Sequence, residues 1–340
     1  MTENKHIKFI DYMRVFATIC VIMSHIITNT YSYNKIEHTY IYIIFDIILN
    51  YSLVAVPIFL MITGYLLLDD RKKITLKKCF KYIYRVLIVL LFFGTIFNCV
   101  ETIFDTKSFS FENFMIAFKD VCVGKSWNHM WYIYMLMCMY MILPFFRIIA
   151  ANIDKHTYFI FLTVIWIINF ALSSVPALDW IHDYFPIYGV YIFYLFAGDY
   201  IRKYSFEIDL SLIRKILFIL VFIASILHNF KALEDLQVCL AYNGVFSSLF
   251  AICLFEYFTK KINKNNVVSK VICVISDNSF GIYIMHMIFV NFIIKFLRIN
   301  FYSYENFSFI IFVFEIIIVM LCSLTVSMIM KKIPYLKKFM

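Results

Sequence analysis

The segment IDYMRVFATICVIMSH, residues 10–25, is apolar enough to begin a membrane-spanning helix, yet it carries three ionisable side chains, Asp11, Arg14 and His25. The rest of the chain shares its apolar character: 63% of the 340 residues are hydrophobic and 20% are aromatic. The mean hydropathy is +0.82. These values lie far outside the range of soluble domains. The sequence therefore predicts an integral membrane protein.

Ten apolar runs are long enough to span a membrane as helices, because the hydrocarbon core needs about 20 apolar residues per helix. They cover residues 9–30, 39–68, 82–103, 128–150, 157–175, 185–202, 212–230, 236–258, 278–298 and 307–331. No small-residue cleavage site follows the first run, so we expect no removable signal peptide. We predict an all-α, polytopic fold of about ten transmembrane helices that forms a single domain, residues 1–340.

Lysine and arginine are distributed unevenly between alternate loops. If the N-terminus is cytoplasmic, 24 of the 31 basic residues fall on the cytoplasmic side and the other seven on the outer side. This is the positive-inside bias of membrane proteins. We therefore predict cytoplasmic N- and C-termini, and we attribute the net charge of +9 to topology rather than to nucleic-acid binding.

Two features outside the charge pattern bear on function. The nine cysteines occur singly and without a CxxC pair, so we interpret them as small core residues and predict no metal site.

The longest polar interruption, residues 101–126, carries apolar side chains at helical spacing, which predicts an amphipathic helix at the membrane surface. Those side chains are Phe111, Phe114, Met115, Phe118, Val121 and Cys122.

The three ionisable groups of residues 10–25 are spaced for one helix face. Each costs about 2.5–3.5 kcal/mol within a span, so such groups normally face the bundle interior or a water-filled cavity. Arg14 and His25 are eleven residues apart, which places them on one face about 16 Å apart along the axis. Asp11 lies one turn below Arg14 and can pair with it. An alternative interpretation is that Asp11 and Arg14 anchor the helix at the interface while His25 hydrogen-bonds a neighbouring helix.

The segment SDNSFGIYIMH, residues 276–286, carries a second polar stripe. Ser276 or Asp277 can cap a helix there. Ser279, Tyr283 and His286 would then share one face and point at the bundle centre. Hydrogen bonding between helices accounts equally well for Ser279 and Tyr283.

Helix breakers occur in the run VPIFLMITGYLL, residues 56–67, where Pro57 and Gly64 can weaken the helix and free backbone groups toward a cavity. Residues 127–144 begin a span at the outer face with Trp127, His129 and Trp131. An aromatic belt explains the tryptophans, whereas His129 needs a partner or a substrate.

Glu315 is a carboxylate within the last apolar run. Counted along the helix, it lies about 18 Å above the cytoplasmic side and His25 lies about 24 Å above it. The two side chains are therefore within reach of one another if their helices adjoin.

Four of these segments resemble, in order, the motifs of the acyltransferase 3 family, membrane enzymes that acylate bacterial surface sugars and related acceptors. Arg14 and His25 resemble the family's signature of a basic residue, ten intervening residues and histidine. FLMITGYLL (59–67) is similar to its serine-glycine turn, HMWYIYML (129–136) to its His-Leu-Trp-Phe-Leu segment, and SDNSFGIYIMH to its late Ser-x-x-x-Tyr-x-x-His helix. The chain departs from the pattern at Thr63, usually serine, and at Tyr82, where the first of two paired arginines is expected.

The resemblance implies a cytoplasmic acyl-CoA donor, expected to be acetyl-CoA, and an acceptor hydroxyl on a carbohydrate or lipid-linked sugar at the outer face. With such a donor, we expect Arg14, Lys81 and Arg85 to bind its phosphates, although the positive-inside bias accounts equally well for any single lysine. We expect His25 either to accept the proton of the attacking hydroxyl or to take the acyl group itself. From its depth alone, we expect Glu315 to orient His25 or to stabilise its charge. Six further residues would support the substrate or the structure: Asp11, His129, Trp131, Ser279, Tyr283 and His286. We expect a multi-pass protein of the bacterial cytoplasmic membrane, with no metal and no nucleic-acid partner.

The residues alone leave two other functions open. One is a transporter or flippase of glycolipid or polysaccharide intermediates, which would move its substrate without consuming acyl-CoA. The other is a non-catalytic membrane domain that anchors or senses. No extracytoplasmic hydrolase-like domain accompanies the spans, so we expect any transfer to finish within the membrane unit or with a separate partner.

Overall fold

The computed structural model describes residues 7–33, 39–108, 110–175, 189–205, 209–230, 236–262 and 270–339. These ranges are helical and contain no strand. The helices are α1 (Lys8–Tyr33), α2 (Tyr40–Ser52), α3 (Ala55–Leu67), α4 (Leu76–Thr106), α5 (Phe111–Cys122), α6 (Trp131–Asn152), α7 (Lys155–Trp166), α8 (Gly189–Tyr204), α9 (Ser211–Asn229), α10 (Leu236–Leu240), α11 (Val245–Lys261), α12 (Lys270–Asn291), α13 (Ser308–Lys332) and α14 (Pro334–Lys337).

Nine helical segments of the described ranges are long and apolar enough to cross a membrane. They correspond to nine of the ten predicted runs. The other run, 185–202, coincides with α8, which has 16 residues, and residues 185–188 of it lie outside the described ranges. The prediction of an all-α polytopic membrane protein is confirmed.

The helix bundle has two ends. The end where α1 begins at Lys8, α3 ends at Leu67 and α13 ends at Lys332 is called the basic end. The opposite end, where α1 ends at Tyr33 and α6 begins at Trp131, is the far end. The positive-inside bias predicts that the basic end is cytoplasmic.

Helix α1 occupies the centre of the bundle. It packs against α2, α3, α11, α12 and α13. Its buried side chains belong to two hydrophobic clusters, one toward α3 and α8 and the other toward α12 and α13. Ionisable groups on α1 therefore face other protein elements, as the cost of exposing them to lipid requires.

The predicted second span is broken into α2 and α3. Pro57 has no amide hydrogen to donate to the carbonyl of Leu53, and the regular helix resumes with the bond from Ile58 N to Val54 O at 3.0 Å. Leu53 lines a cavity. The predicted effect of Pro57 is therefore located at residues 53 and 54, where α2 and α3 meet.

Gly64 has a different role from the predicted one. It lies inside the regular part of α3, where it allows close contact with α8. A Cβ atom at Gly64 would lie 1.7 Å from the carbonyl oxygen of Leu195, and one at Gly198 would lie 2.0 Å from that of Met61. Two glycines, one on each helix, thus let the backbones of α3 and α8 approach each other.

An ionic cluster joins α3 to α8 at the basic end. The guanidinium of Arg202 contacts Asp69 Oδ1 at 3.0 Å and Asp199 Oδ1 at 2.7 Å. Arg71 also contacts Asp69, at 2.8 Å. Burial tends to raise the pKa of Asp69, but hydrogen bonds from Arg71 and the charge of Arg202 hold that pKa below its usual value. The cluster fixes the turn that follows α3.

Two local predictions change in the structure. Ser276 and Asp277 do not cap a helix, because α12 already includes Lys270; Ser276 instead donates a hydrogen bond to Asp11 Oδ1 on α1 at 2.6 Å. The amphipathic segment forms α5, which buries Ala117 and Val121 and exposes phenylalanines such as Phe111 and Phe118. The predicted helix is thus present, and Val121, one of its predicted apolar residues, packs on the protein.

Candidate active site

A cavity of about 500 Å³ runs through the bundle beside α1. Its walls come from α1, α3, α4, α6 and α12 and from the loop that precedes α11. Its volume is within the range of small-molecule sites, about 300–1,000 Å³. The cavity reaches from Arg14 and Arg85 near the basic end to Trp131 and Tyr242 near the far end.

One face of α1 contributes residues at both ends of this cavity. Arg14, Val21 and His25 line it, and their spacing of seven and four residues defines a single stripe on a helix that has no break between Lys8 and Tyr33. The predicted shared face of Arg14 and His25 is thus present. At 1.5 Å per residue the two positions are about 16 Å apart along the axis.

The end of the cavity nearest the basic end carries two arginines. Arg14 interacts electrostatically with Asp11 and with Asp277, so the predicted proximity of Asp11 and Arg14 is present. Arg85 donates from Nε to the carbonyl of Phe339 at 2.8 Å, and its guanidinium lies 5.4 Å from the ring centroid of Phe280. Both arginines line the cavity, where they can face an anionic ligand.

Lys81 behaves differently from the two arginines. Its side chain is exposed and is not among the residues that line the cavity. It lies one turn before Arg85 on α4, so it can act at the surface of the basic end but not within the cavity as described. Its predicted contact with the donor stays a prediction.

Three histidines from three parts of the chain, His25, His129 and His286, lie close together inside the bundle. The ring centroids of His25 and His286 are 5.1 Å apart, those of His129 and His286 are 5.4 Å apart, and those of His25 and His129 are 6.4 Å apart. His25 and His129 line the cavity, whereas His286 is fully buried behind them. Within the described ranges no set of side chains has the arrangement needed to hold a metal ion, these histidines included.

The histidines differ in their hydrogen bonds. Nδ1 of His286 lies 2.6 Å from the carbonyl of Tyr283, while its Nε2 has no partner among the described residues. His129 is 1% exposed, and neither of its ring nitrogens makes a hydrogen bond of regular geometry with the described residues. Buried polar atoms are normally paired, and an exception calls for an explanation such as a ligand or a catalytic role. The unpaired nitrogens therefore make this region a candidate functional site.

Tyr283 and Ser279 line the cavity as the polar stripe predicts. The hydroxyl of Tyr283 donates to the carbonyl of His129, which ties α12 to the beginning of α6. The alternative interpretation, in which Tyr283 joins helices, thus holds at the same time as its place at the cavity wall.

Glu315 is not joined to His25 by a hydrogen bond in this structure. It lies on α13, is 1% exposed, and neither carboxylate oxygen has a partner among the described residues. It does not line the cavity. The predicted depth match between the two side chains is therefore not accompanied by contact, and the orienting role of Glu315 stays a prediction.

Several tyrosines for which the sequence predicts no role in the site also line the cavity wall. Tyr132 and Tyr140 line it from α6 and Tyr82 from α4, with the rings of Tyr82 and Tyr140 5.5 Å apart. The spacing of eight residues between Tyr132 and Tyr140 is a helical signal that could have been found. Tyr242 also lines the cavity, but it lies in a loop, where no periodicity identifies it.

These features define a class of protein: a polytopic helical membrane protein with a substrate-sized cavity that holds cations toward one end and imidazoles deeper inside. The family model for the acyltransferase 3 family, described as an acyltransferase domain, matches residues 7–332. The chain therefore belongs to the acyltransferase 3 family, as its motifs suggest, and it is an acyl-transferring enzyme of the membrane. Comparison with curated proteins and with solved structures gives no match.

Proposed function

We propose that this protein transfers an acetyl group from acetyl-CoA to a hydroxyl of a cell-surface carbohydrate or lipid-linked sugar in the bacterial cytoplasmic membrane. The observation that carries the proposal is the single cavity that both Arg14 and His25 line. A donor with phosphates and a long arm suits such a cavity, because its anionic head and its reactive thioester must be bound far apart.

The donor would enter from the basic end. Arg85 and Arg14 are suited to its phosphates, because a guanidinium forms charge-assisted hydrogen bonds with them. The pantetheine arm would then follow the α1 stripe for about 16 Å to His25. Val21 lies on this stripe and Phe59 lies on the facing part of α3, and both present apolar surface to the arm.

His25 would act as the general base. A neutral imidazole nitrogen takes the proton of the acceptor hydroxyl while the hydroxyl oxygen bonds to the acetyl carbonyl carbon. The carbon–sulfur bond breaks, and the imidazolium returns the proton to the departing thiolate, which leaves as free coenzyme A. The acetyl ester and the thiol are the two products, and the histidine ends in its starting state.

His286 would act on His25 rather than on the substrate, since it is buried behind the cavity wall. Its Nδ1 is engaged by the carbonyl of Tyr283, which orients the ring. His129 lines the cavity beside His25 and can contact the acceptor or the acetyl oxygen. In this scheme His286 positions His25, whereas His25 and His129 face the substrates.

The test is acetyl transfer by purified protein in lipid nanodiscs. Radiolabelled acetyl-CoA is supplied with membrane extract as the source of acceptor, and both label transfer and release of coenzyme A thiol are measured. We expect His25→Ala to abolish both signals. The matched control is His156→Ala, because His156 is exposed at the beginning of α7 and does not line the cavity.

Two outcomes would contradict the proposal. Wild-type rates in the His25→Ala protein would remove His25 from the chemistry. Movement of a glycolipid across the membrane without thiol release would indicate a transporter instead.

A further inference from the structure

Three aromatic rings meet at the far end of the bundle. The ring centroids of Trp131, Tyr191 and Tyr242 are separated by 5.8, 5.9 and 6.3 Å, which is nearly an equilateral triangle. Tyr242 is close to parallel to Trp131 and to Tyr191, with interplanar angles of 20° and 12°, whereas Trp131 and Tyr191 are tilted by 32°. Rings whose centroids form such a triangle cannot stack in one column. They are offset from one another and together present a broad aromatic patch.

The patch adjoins the cavity. Trp131 and Tyr242 line it together with His25 and His129. An aromatic belt alone would only place these rings toward lipid. Here two of the three rings share a cavity with the candidate base, so a molecule resting on them lies close to the site of the chemistry.

Hydrogen bonds hold the patch in place. The hydroxyls of Tyr191 and Tyr242 are 3.1 Å apart, and Tyr194 donates to the carbonyl of Tyr242 at 2.6 Å. These contacts join the beginning of α8 to the loop before α11. Trp131 is still 36% exposed, so its ring can be covered by another molecule. The patch is preorganised, which reduces the entropic cost of binding.

The charges of the cavity lining are separated by location. The arginines and the carboxylate that line it are Arg14, Arg85 and Asp277, and all three come from the part nearer the basic end. Among the described lining residues of the far half, the polar groups are histidines, tyrosines, tryptophan and serine. A phosphorylated, acidic or zwitterionic acceptor would find no opposite charge there.

We propose that Trp131, Tyr191 and Tyr242 form an acceptor subsite that stacks on the apolar face of an uncharged pyranose ring and directs one of its hydroxyls toward His25. The inference rests on the proposed function. Pyranose C–H bonds carry partial positive charge and lie well on the negative face of an aromatic ring. The subsite thereby selects a neutral hexose-type acceptor over a charged sugar, an open-chain polyol or an amino acid.

The first test is direct binding, measured by saturation-transfer-difference NMR on protein in nanodiscs. The probes are methyl β-glucopyranoside and methyl β-N-acetylglucosaminide, with sorbitol and glucuronic acid as the open-chain and charged comparisons. We expect saturation of the ring C–H protons of the two glycosides, and weak or no saturation of the comparisons.

Variants assign the signal to the rings. Replacing Trp131 by leucine or Tyr242 by alanine is expected to weaken glycoside binding about five- to tenfold, the loss of one stacking contact. Tyr242→Phe keeps the ring and is expected to stay within about twofold of wild type. The matched control is Phe145→Leu, because Phe145 lies on the same helix as Trp131 but is 65% exposed and does not line the cavity.

The second test separates this inference from the proposed function. In the acetyl-transfer assay, Trp131→Leu is expected to raise the KM for the glycoside acceptor by the same factor and to leave the KM for acetyl-CoA unchanged. Equal acceptor KM values in Trp131→Leu and wild type, with transfer intact, overturn the subsite alone. Glycoside binding that depends on Trp131, with no consumption of acetyl-CoA, overturns the proposed function alone.

Two further results overturn the subsite. One is the absence of binding by both glycosides while the donor still binds. The other is equal binding of sorbitol and the glycosides.

Discussion

Arg14 and His25 lie on one uninterrupted helix, eleven residues apart, and both side chains line the same cavity. A straight helix holds two groups at a fixed separation, here about 16 Å, without help from loops. The proposed reaction, in which a donor bound near Arg14 reacts near His25, would depend on this separation.

Arg85→Ala is expected to raise the KM for acetyl-CoA by about 10- to 100-fold, because a charge-assisted hydrogen bond contributes about 1.5–3 kcal/mol. Lys81→Ala is expected to have a smaller effect, since Lys81 is exposed and does not line the cavity. Steady-state kinetics on purified protein measures both, with the exposed Lys77→Ala as control. An equal effect of Lys81→Ala and Arg85→Ala would contradict the location of the donor in the cavity.

His286→Phe, which keeps an aromatic but larger ring without ring nitrogens, is expected to lower kcat more than about tenfold, in the range of general-base effects. The reason is that His286 packs on His25 with 5.1 Å between ring centroids. A positioning role also predicts a changed pH profile of kcat, which a purely structural role would not cause. Phe292→Leu, on a lipid-exposed ring near the end of the same span, is the control for stability. A variant with wild-type kcat and pH profile would show that His286 does not position His25.

Gly64→Ala and Gly198→Ala are each expected to destabilise the fold by about 3 kcal/mol or more, the upper range of overpacking. The added Cβ would meet backbone oxygens at 1.7 and 2.0 Å, and backbone cannot rotate away. Gly94→Ala is the matched control, because its Cβ would meet only side-chain atoms, at 3.1 Å. The thermal unfolding midpoints of the variants are measured by size-exclusion chromatography of heated samples. Equal midpoints in all three variants would contradict the close packing of α3 on α8.

Arg202→Met is expected to destabilise the protein by about 3–5 kcal/mol, because the buried carboxylate of Asp199 then keeps only the more distant ammonium of Lys203, 3.7 Å from its Oδ2. Asp199 is fully buried, and only 6% of the Arg202 side chain is exposed. The double variant Arg202→Met with Asp199→Asn is expected to recover part of the loss, since no charge then remains buried at that position. Chemical or thermal unfolding of the three proteins measures this. No recovery in the double variant would show that Asp69 is the partner that matters.

Much of the site could be predicted from local spacing. The common face of Arg14 and His25 depends only on 3.6 residues per turn, and the cavity confirms it. The prediction of a helix cap at Ser276 or Asp277 is wrong because a capping residue and a polar residue in mid-helix look alike in sequence. Only the neighbouring helix shows that the Ser276 hydroxyl bonds Asp11.

Depth alone was not enough to pair Glu315 with His25. Two residues at similar heights on different helices make contact only if their helices turn the right faces toward each other. Helix α13 packs on both α1 and α12, and it buries Glu315 without placing it at the cavity wall. The neighbour that His25 does contact, His286, comes instead from α12.

The sequence by itself determined that this chain spans a membrane, how apolar runs and basic loops alternate along it, and which face of α1 is polar. These properties follow from the cost of placing polar groups in lipid and from helical geometry, both of which act locally. Only the tertiary structure decided that three histidines converge, that Gly64 serves the contact with Leu195, and that Trp131 shares a patch with Tyr242. Each of these joins residues far apart in the chain, and their meeting depends on how whole helices pack, which no local periodicity encodes.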